Sequence, residues 1–143
     1  MAKIIPFPRK ANPNITEVLQ EFVSEQHRRV KPPTGRKYEQ IIYLLMDSLD
    51  TFGPDDLAPE EKTLYNRLLQ QGKVEFCDIF GPDKIIRHYG IFFGHFLPRF
   101  SGCTGRLMQS ASTVTRRLAK WLAEKDHISR EELRRSLGGG IRT

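Results

Sequence analysis

Residues 110–128, SASTVTRRLAKWLAEKDHI, predict a helix with two chemically different faces. Apolar residues recur there at the i, i+3, i+4 spacing that places side chains on one face of an α-helix. The residues predicted to face the core are Ala111, Val114, Leu118, Trp121 and Leu122. The opposite face carries Thr113, Arg116, Arg117 and Lys120. Solvated helices usually mix acids with bases, because opposite charges four residues apart stabilise each other. Only one acid, Glu124, interrupts this basic face. The face is therefore a candidate for binding an anion.

The same periodicity predicts helices elsewhere in the chain. They cover about 15–29, 35–52, 59–71, 82–97 and 105–126, with a short final helix after Ser129. Asn14 with Glu17, and Ser129 with Glu132, have capping-box spacing, in which side chains satisfy free backbone groups at a helix start. Thr34 is predicted to cap the second helix.

The length of the chain predicts one helical domain. A chain of 143 residues is long enough to bury a substantial core. The expected fold is all-α, a compact bundle of five or six helices. The predicted parts are an irregular N-terminal arm at 1–13, the helical domain at 14–128, and a short helix with a flexible Gly-rich tail at 129–143. The stretch VEFCDIF, residues 74–80, could also form a short strand, although no partner strand is apparent.

Composition limits the function classes. No apolar run approaches the roughly 18 residues needed to span a bilayer, so no membrane partner is expected. Cys77 and Cys103 form no disulfide framework, which favours reduced thiols in a cytoplasmic protein. No nucleophile, nucleotide-loop or metalloprotease motif is present. His88 and His95 lack metal-ligand spacing even when combined with the cysteines. We therefore expect no enzyme activity, no cofactor and no metal.

Charge is distributed unevenly along the chain, whose formal net charge is +6. Residues 1–40 hold 8 basic and 4 acidic residues, residues 41–83 hold 3 and 9, and residues 84–143 hold 12 and 4. Such asymmetry can build a one-sided potential that attracts anionic partners. The acidic middle is predicted to be a solvated face, away from any nucleic acid.

Two basic sets are candidates for contacting duplex DNA. One surrounds the start of the second helix, where free backbone N–H groups and the helix dipole suit a phosphate. The other is the basic face of the helix quoted above, whose arginines can fork onto guanine and whose Lys and Thr can hold phosphates. The predicted DNA-binding residues are Arg28, Arg29, Lys31, Thr34, Arg36, Lys37, Ser112, Thr113, Arg116, Arg117 and Lys120.

The order of three segments resembles a known family. The helix ITEVLQEFVSEQ, the helix start TGRKYEQIIYLL and the later helix TVTRRLAKWLAEKDHI are similar to the SAM-like, core-binding N-terminal domain of phage integrases and other tyrosine recombinases. The likeness covers about residues 15–128, and Asp126-His127-Ile128 stands where that family has G-x-I. It implies a small helical bundle whose second and last long helices grip DNA during DNA integration and recombination.

The sequence departs from that family in two places. Residues 54–80 are longer and more acidic than the usual connection between the second and third helices. The family's catalytic Arg, Lys, His-x-x-Arg and Tyr belong to a following domain and cannot be assembled here. The four tyrosines predicted to pack in helix stripes are Tyr38, Tyr43, Tyr65 and Tyr89. The resemblance thus implies DNA binding without strand cleavage, in a recombinase fragment or in a free-standing relative that works with a catalytic or other protein partner.

Two alternatives remain at this point. One is a helical protein-interaction module that uses the aromatic 82–97 helix or the acidic 47–61 region and has no nucleic-acid role. The other is a small enzyme with an unrecognised site, which would cluster groups with shifted pKa values in a pocket.

Overall fold

The computed structural model describes residues 13–72, 75–100 and 102–138, and only the backbone of 136–138. Over these ranges the chain is helical and has no strand, which confirms the predicted all-α class. The helices are α1 (Ile15–Arg29), α2 (Pro32–Phe52), α3 (Pro59–Gln71), α4 (Phe76–Ile79), α5 (Tyr89–Ile91), α6 (Leu97–Arg99), α7 (Gly105–Glu124) and α8 (Arg130–Gly138). The predicted arm, apart from Pro13, and residues 139–143 of the predicted tail lie outside the described residues.

Helices α1, α2 and α7 pack around a shared aromatic core. Phe22 of α1 is fully buried, and its ring centroid lies 5.9 Å from that of Tyr38 on α2 and 5.3 Å from that of Trp121 on α7. The five apolar residues predicted to face the core from α7 are all at most 3% exposed. Buried apolar surface of this kind is the main favourable term in folding. The prediction that these five side chains of α7 face the core is therefore confirmed.

The end of α1 and the start of α2 approach each other closely. A Cβ atom on Gly35 would lie 2.5 Å from Nδ1 of His27, so a larger residue at position 35 would displace that imidazole. His27 also pairs with Glu39, with 3.1 Å between Nε2 and Oε2. The basic residues at the end of α1 are thereby held beside those at the start of α2.

The structure corrects three predicted elements. Helix α2 begins at Pro32, and its N-cap is Lys31 without a side-chain hydrogen bond, so Thr34 is not the cap. Residues 76–79, predicted as part of a possible strand, form the short helix α4. The predicted continuous helix at 82–97 is broken into 3₁₀ turns, the short α5 and a π-helical turn at Phe92–Phe96. Gly90 and Gly94 lie in this irregular stretch, and glycine weakens a regular helix.

Two of the predicted caps are confirmed. Asn14 Oδ1 accepts from the Glu17 N–H at 2.8 Å, and Glu17 Oε1 accepts from the Asn14 N–H at 3.0 Å. Ser129 and Glu132 make the equivalent reciprocal pair at 3.1 and 3.0 Å. Both boxes satisfy backbone donors that a helix start otherwise leaves free.

Helix α7 ends in a Schellman motif with an aspartate in the left-handed position. Asp126 has φ 63°, the His127 N–H donates to the Leu122 carbonyl at 2.8 Å, and the Asp126 N–H donates to the Ala123 carbonyl at 3.1 Å. Glycine is the usual residue at this position because it has no Cβ to clash.

Replacing Asp126 with glycine should stabilise the fold. We expect Asp126→Gly to raise the free energy of unfolding by about 0.5–1 kcal/mol, since it removes the left-handed strain of an L-residue. The matched control is Glu124→Gly within the last turn of α7, which should cost about 0.5–1 kcal/mol. Urea denaturation of both variants measures the difference, and a loss of stability in Asp126→Gly would contradict the expectation.

The four tyrosines do not all pack as predicted. Tyr38 is buried, Tyr65 and Tyr89 are half-buried, and the Tyr89 hydroxyl donates to the Thr115 carbonyl at 2.8 Å. Tyr43 is 71% exposed, so the prediction that it packs is wrong. It lies in α2 two residues from the buried Ile41, which places its side chain away from the core side of the helix.

Candidate nucleic-acid interface

A depression of about 350 Å³ lies between α1 and α7. We call it the Gln26 depression, after the buried α1 residue that lines it. Its other lining residues are Arg29, Thr113, Arg116, Arg117, Lys120, Trp121 and Glu124. The end of α1 therefore adds a fourth cation, Arg29, to the three that helical periodicity predicted on one face of α7.

A second depression, of about 550 Å³, lies between the start of α2 and the first half of α7. We call it the Tyr38 depression. Its other lining residues are Thr34, Lys37, Arg106, Gln109, Ser110, Ser112, Thr113 and Val114. Thr113 lines both depressions, so the two basic sets predicted from the sequence adjoin on the surface.

These residues define a basic strip that follows α7 and is flanked by the end of α1 and the start of α2. Its members are Arg29, Thr34, Lys37, Arg106, Ser112, Thr113, Arg116, Arg117 and Lys120. The strip cations are exposed, and among the described residues none of them lies within 4 Å of a carboxylate oxygen. Within the described part of the chain no short-range ion pair neutralises these charges, although Arg29 interacts with Glu25 at longer range. Most of the charge of the strip is therefore available to a ligand.

Three predicted DNA-binding residues lie outside the strip. Arg28, Lys31 and Arg36 are exposed but line neither depression. The start of α2 also differs from the predicted phosphate site. Pro32 and Pro33 occupy its first two positions and have no N–H, so Thr34 supplies the only backbone donor of the first three. Of the α2 residues in this set, Thr34 and Lys37 line a depression shared with α7.

Arg106 and Gln26 are the most informative of the lining residues that sequence reasoning missed. Arg106 lies seven residues before Thr113, which is about two helical turns and the same face, so extending the wheel toward the start of α7 would have found it. Gln26 gave no signal, because a glutamine in an amphipathic helix is ordinarily a solvated residue.

A polar contact fixes α1 against α7 beside the strip. The Trp121 Nε1–H donates to Glu25 Oε1 at 3.0 Å, and Lys125 Nζ lies 3.0 Å from Glu25 Oε2. Burial alone would raise the pKa of Glu25, but the hydrogen bonds from Trp121 and Lys125 and the nearby charge of Arg29 lower it below its ordinary value. The carboxylate therefore stays ionised at neutral pH and holds the two helices together.

The acidic 47–61 region does not reach the basic strip, since none of its residues lines either depression. Part of it has structural contacts that the prediction of a solvated face did not include. Asp50 Oδ1 accepts from the Cys77 N–H at 2.9 Å, and Glu61 Oε2 lies 2.7 Å from Lys84 Nζ. Asp47, Asp55 and the remaining acids are exposed as predicted.

No protein-family profile, curated protein or solved structure matches this chain. The resemblance to the core-binding domain of tyrosine recombinases therefore stays a prediction. Across the described parts of the chain, no helix combines the length and the apolarity needed to cross a bilayer. Those same parts contain no group of three or more His, Cys, Asp or Glu side chains placed to hold a metal ion.

Among the described residues, a buried Ser–His pair is the arrangement that most resembles a catalytic one. Ser48 Oγ lies 2.7 Å from His88 Nε2, and the two residues are 0% and 4% exposed. The adjacent cavity, lined by Asp56 and Lys84 among others, measures about 20 Å³. That volume holds about one water molecule, so no substrate fits beside this pair. It is better explained as a buried hydrogen bond joining α2 to the irregular stretch at 86–88.

The burial of His88 should make the stability of the protein depend on pH. Burial penalises the imidazolium and lowers the pKa of His88 from 6.5 to about 4, despite the opposing effects of Ser48 and Asp56. Because the His88 imidazole binds a proton more readily in the unfolded chain, its burial contributes to the free energy of unfolding only while it is neutral. This contribution is complete above pH 6.5 and is lost as pH falls toward 4.

We expect the free energy of unfolding to fall by up to ~3 kcal/mol between pH 7 and pH 4 through His88. Chemical denaturation at several pH values measures this slope. His88→Gln should flatten it, whereas His95→Gln, at an exposed position, should keep it. An unchanged slope in His88→Gln would refute the assignment.

Proposed function

We propose that this protein is a non-catalytic DNA-binding domain that holds duplex DNA along the basic strip. The observation that carries the proposal is the shared position of Thr113, which joins the two depressions into one cationic surface. The phosphates of DNA attract such a surface whatever the base sequence. Neutralising these phosphates supplies much of the affinity of DNA-binding proteins.

The dimensions of α7 suit a duplex. Arg106 and Lys120 are fourteen residues apart, which is about 21 Å along a helix axis. The major groove of B-DNA is about 12 Å wide, so α7 is long enough to contact the phosphates of both strands. Arg116 and Arg117 lie nearer the middle of the strip, where an arginine can fork onto guanine O6 and N7. They are the proposed source of any sequence preference.

Salt dependence tests the proposal. Neutralising Z phosphates gives a log–log slope of binding constant against salt near −0.9Z. The strip contains six cations: Arg29, Lys37, Arg106, Arg116, Arg117 and Lys120. Titration of a fluorescently labelled 20-base-pair duplex should therefore give a slope between about −3 and −5. A flat response would end the DNA-binding proposal.

The alternative is a protein-interaction module, and one observation favours it. Helix α3 has no buried residue and leaves Leu64 and Leu69 41% and 43% exposed. The aromatic stretch is less suitable, because Phe92 is buried and Phe93 and Phe96 are half-buried. The affinity of a partner bound by α3 would depend little on salt. The double variant Leu64→Ser with Leu69→Ser would abolish this binding.

A further inference from the structure

We infer that the Gln26 depression binds a phosphate monoester, the group that a DNA strand carries at a phosphorylated end. The inference deepens the proposed function and rests on it, because it names the part of a DNA ligand that this end of the basic strip recognises. A free nucleoside monophosphate carries the same group, and the experiment below separates the two sources.

The concentration of positive charge around the Gln26 depression is the first observation. Four cations against one acid, Glu124, leave its lining with a formal charge of +3. The cations are Arg29, Arg116, Arg117 and Lys120, and in the described part of the chain none of them lies within 4 Å of a carboxylate oxygen. Like charges gathered around one depression repel each other, and an anion seated among them relieves this repulsion.

The neighbouring carboxylate of Glu25 leaves this excess charge nearly unchanged. It attracts Arg29 at longer range, but Lys125 Nζ lies 3.0 Å from Glu25 Oε2 and brings an equal positive charge. The Trp121 Nε1–H donates to the same carboxylate and so holds α1 against α7. The end of α1, which carries Arg29, is therefore positioned beside the α7 cations before any ligand binds, and this lowers the entropic cost of binding.

The density of these charges favours a phosphate monoester over the phosphodiester inside a strand. An internal phosphodiester carries one negative charge and two free oxygens. A monoester carries about −1.5 to −2 charges at pH 7 and three acceptor oxygens. Arg116 and Lys120 are four residues apart, about 6 Å along a helix axis, so the α7 cations act together on one group. Guanidinium forks bind phosphate oxygens in pairs, and three arginines therefore match a monoester better than a diester.

The size of the depression suits the end of a strand. Its volume of about 350 Å³ is near the lower limit of small-ligand pockets, about 300–1000 Å³. That space accommodates a terminal phosphate with its sugar, but it is too small for a segment of duplex. The two amide atoms of Gln26 each have less than 1 Å² of accessible surface, so the ligand contacts the charged side chains and not this carboxamide.

The Tyr38 depression offers the rest of the strand a different lining. None of the described residues that line it is an acid, and it combines two cations with four hydroxyl groups. These residues are Thr34, Lys37, Arg106, Ser110, Ser112 and Thr113. Side chains of these types commonly bind the phosphates and sugars of DNA. From Lys120 to Arg106, α7 extends about 21 Å, which is about six nucleotides at 3.4 Å per nucleotide of one strand. A strand that ends in the Gln26 depression can thus continue along α7 into the Tyr38 depression.

The experiment compares internally labelled 20-base-pair duplexes of one sequence, whose 5′ ends carry a hydroxyl, a phosphate monoester or a methyl phosphate diester. By fluorescence anisotropy, the wild-type protein should bind the monoester duplex at least about 10-fold more tightly than the hydroxyl duplex, equivalent to about 1.4 kcal/mol. The methyl diester lacks the second charge and the third free oxygen. It should therefore gain less than about threefold over the hydroxyl duplex.

Two matched variants locate the preference on the strip. Arg29→Ala and Arg106→Ala each remove one exposed cation, the first from the Gln26 depression and the second from the Tyr38 depression. Both should weaken binding to the hydroxyl duplex, but only Arg29→Ala should reduce the preference for the phosphorylated end, to less than about threefold. Glu124→Gln removes the single acid of the lining and should increase that preference. Circular dichroism melts verify that each variant keeps the fold.

Titration with AMP, followed by NMR, reports the free monoester, and adenosine without a phosphate is its control. Binding of AMP that Arg29→Ala abolishes, without any preference for the phosphorylated duplex, would keep the site and make a free nucleotide its ligand.

The outcomes for the site and for the proposed function are separable. Equal binding of the three duplexes together with no AMP binding would overturn the inference, while a steep salt slope would leave duplex binding intact. A preference for the phosphorylated end that Arg29→Ala leaves unchanged, or that the methyl diester shares in full, would also overturn it. Salt-insensitive duplex binding with Arg29-dependent AMP binding would instead remove the proposed function and keep the site.

Discussion

Arg116→Ala combined with Arg117→Ala should weaken binding to duplex DNA by about 30-fold or more, since each arginine in such an interface contributes about 1–3 kcal/mol. Both side chains are exposed, both line the Gln26 depression, and neither is paired with an acid among the described residues. Removing two of the six strip cations should also make the log–log salt slope shallower, by at most about 2, and should relax any sequence preference that these arginines confer. Fluorescence anisotropy at several salt concentrations measures both quantities.

A charge-matched variant provides the control. Lys62→Ala with Arg67→Ala removes the same two charges from exposed positions on α3, and neither residue lines the strip. This variant should lose less than about threefold in affinity, because exposed charges are screened by salt beyond about a Debye length. Equal losses in the two double variants would mean that net charge alone attracts DNA and that the strip has no special role.

Phe22→Ala should lower the free energy of unfolding by about 3–5 kcal/mol, the usual cost of truncating a buried phenylalanine. Its ring is fully buried and contacts Tyr38 and Trp121, so it joins all three helices that carry the basic strip. The loss is a large part of the ~5–15 kcal/mol by which domains are usually stable. Urea denaturation monitored by circular dichroism measures it.

Tyr43→Ala is the control for the Phe22 variant. Tyr43 is an aromatic residue of α2 that is 71% exposed, and exposed substitutions usually change stability by less than about 0.5 kcal/mol. Comparable losses in the two variants would show that Phe22 is not the centre of the packing of α1, α2 and α7.

Local sequence determined the helices and the faces of the longest ones. The five apolar residues predicted to face the core from α7 are buried, and Arg116 and Arg117 are exposed, as the 3.6-residue period predicts. The caps at Asn14 and Ser129 were also predictable, since they depend on residues three positions apart. Prediction was weakest at 82–97, where two glycines and dense aromatic residues interrupt a regular helix.

Only the tertiary structure decided which helix faces meet. Periodicity fixes which side chains share one side of a helix, but it does not fix the direction in which that helix runs relative to another. The adjacency of Arg29 to Arg116, the burial of Gln26 and the bond between Ser48 and His88 all join distant parts of the chain. Contacts of this kind follow from how the three helices pack around Phe22, and no local pattern in the sequence contains that information.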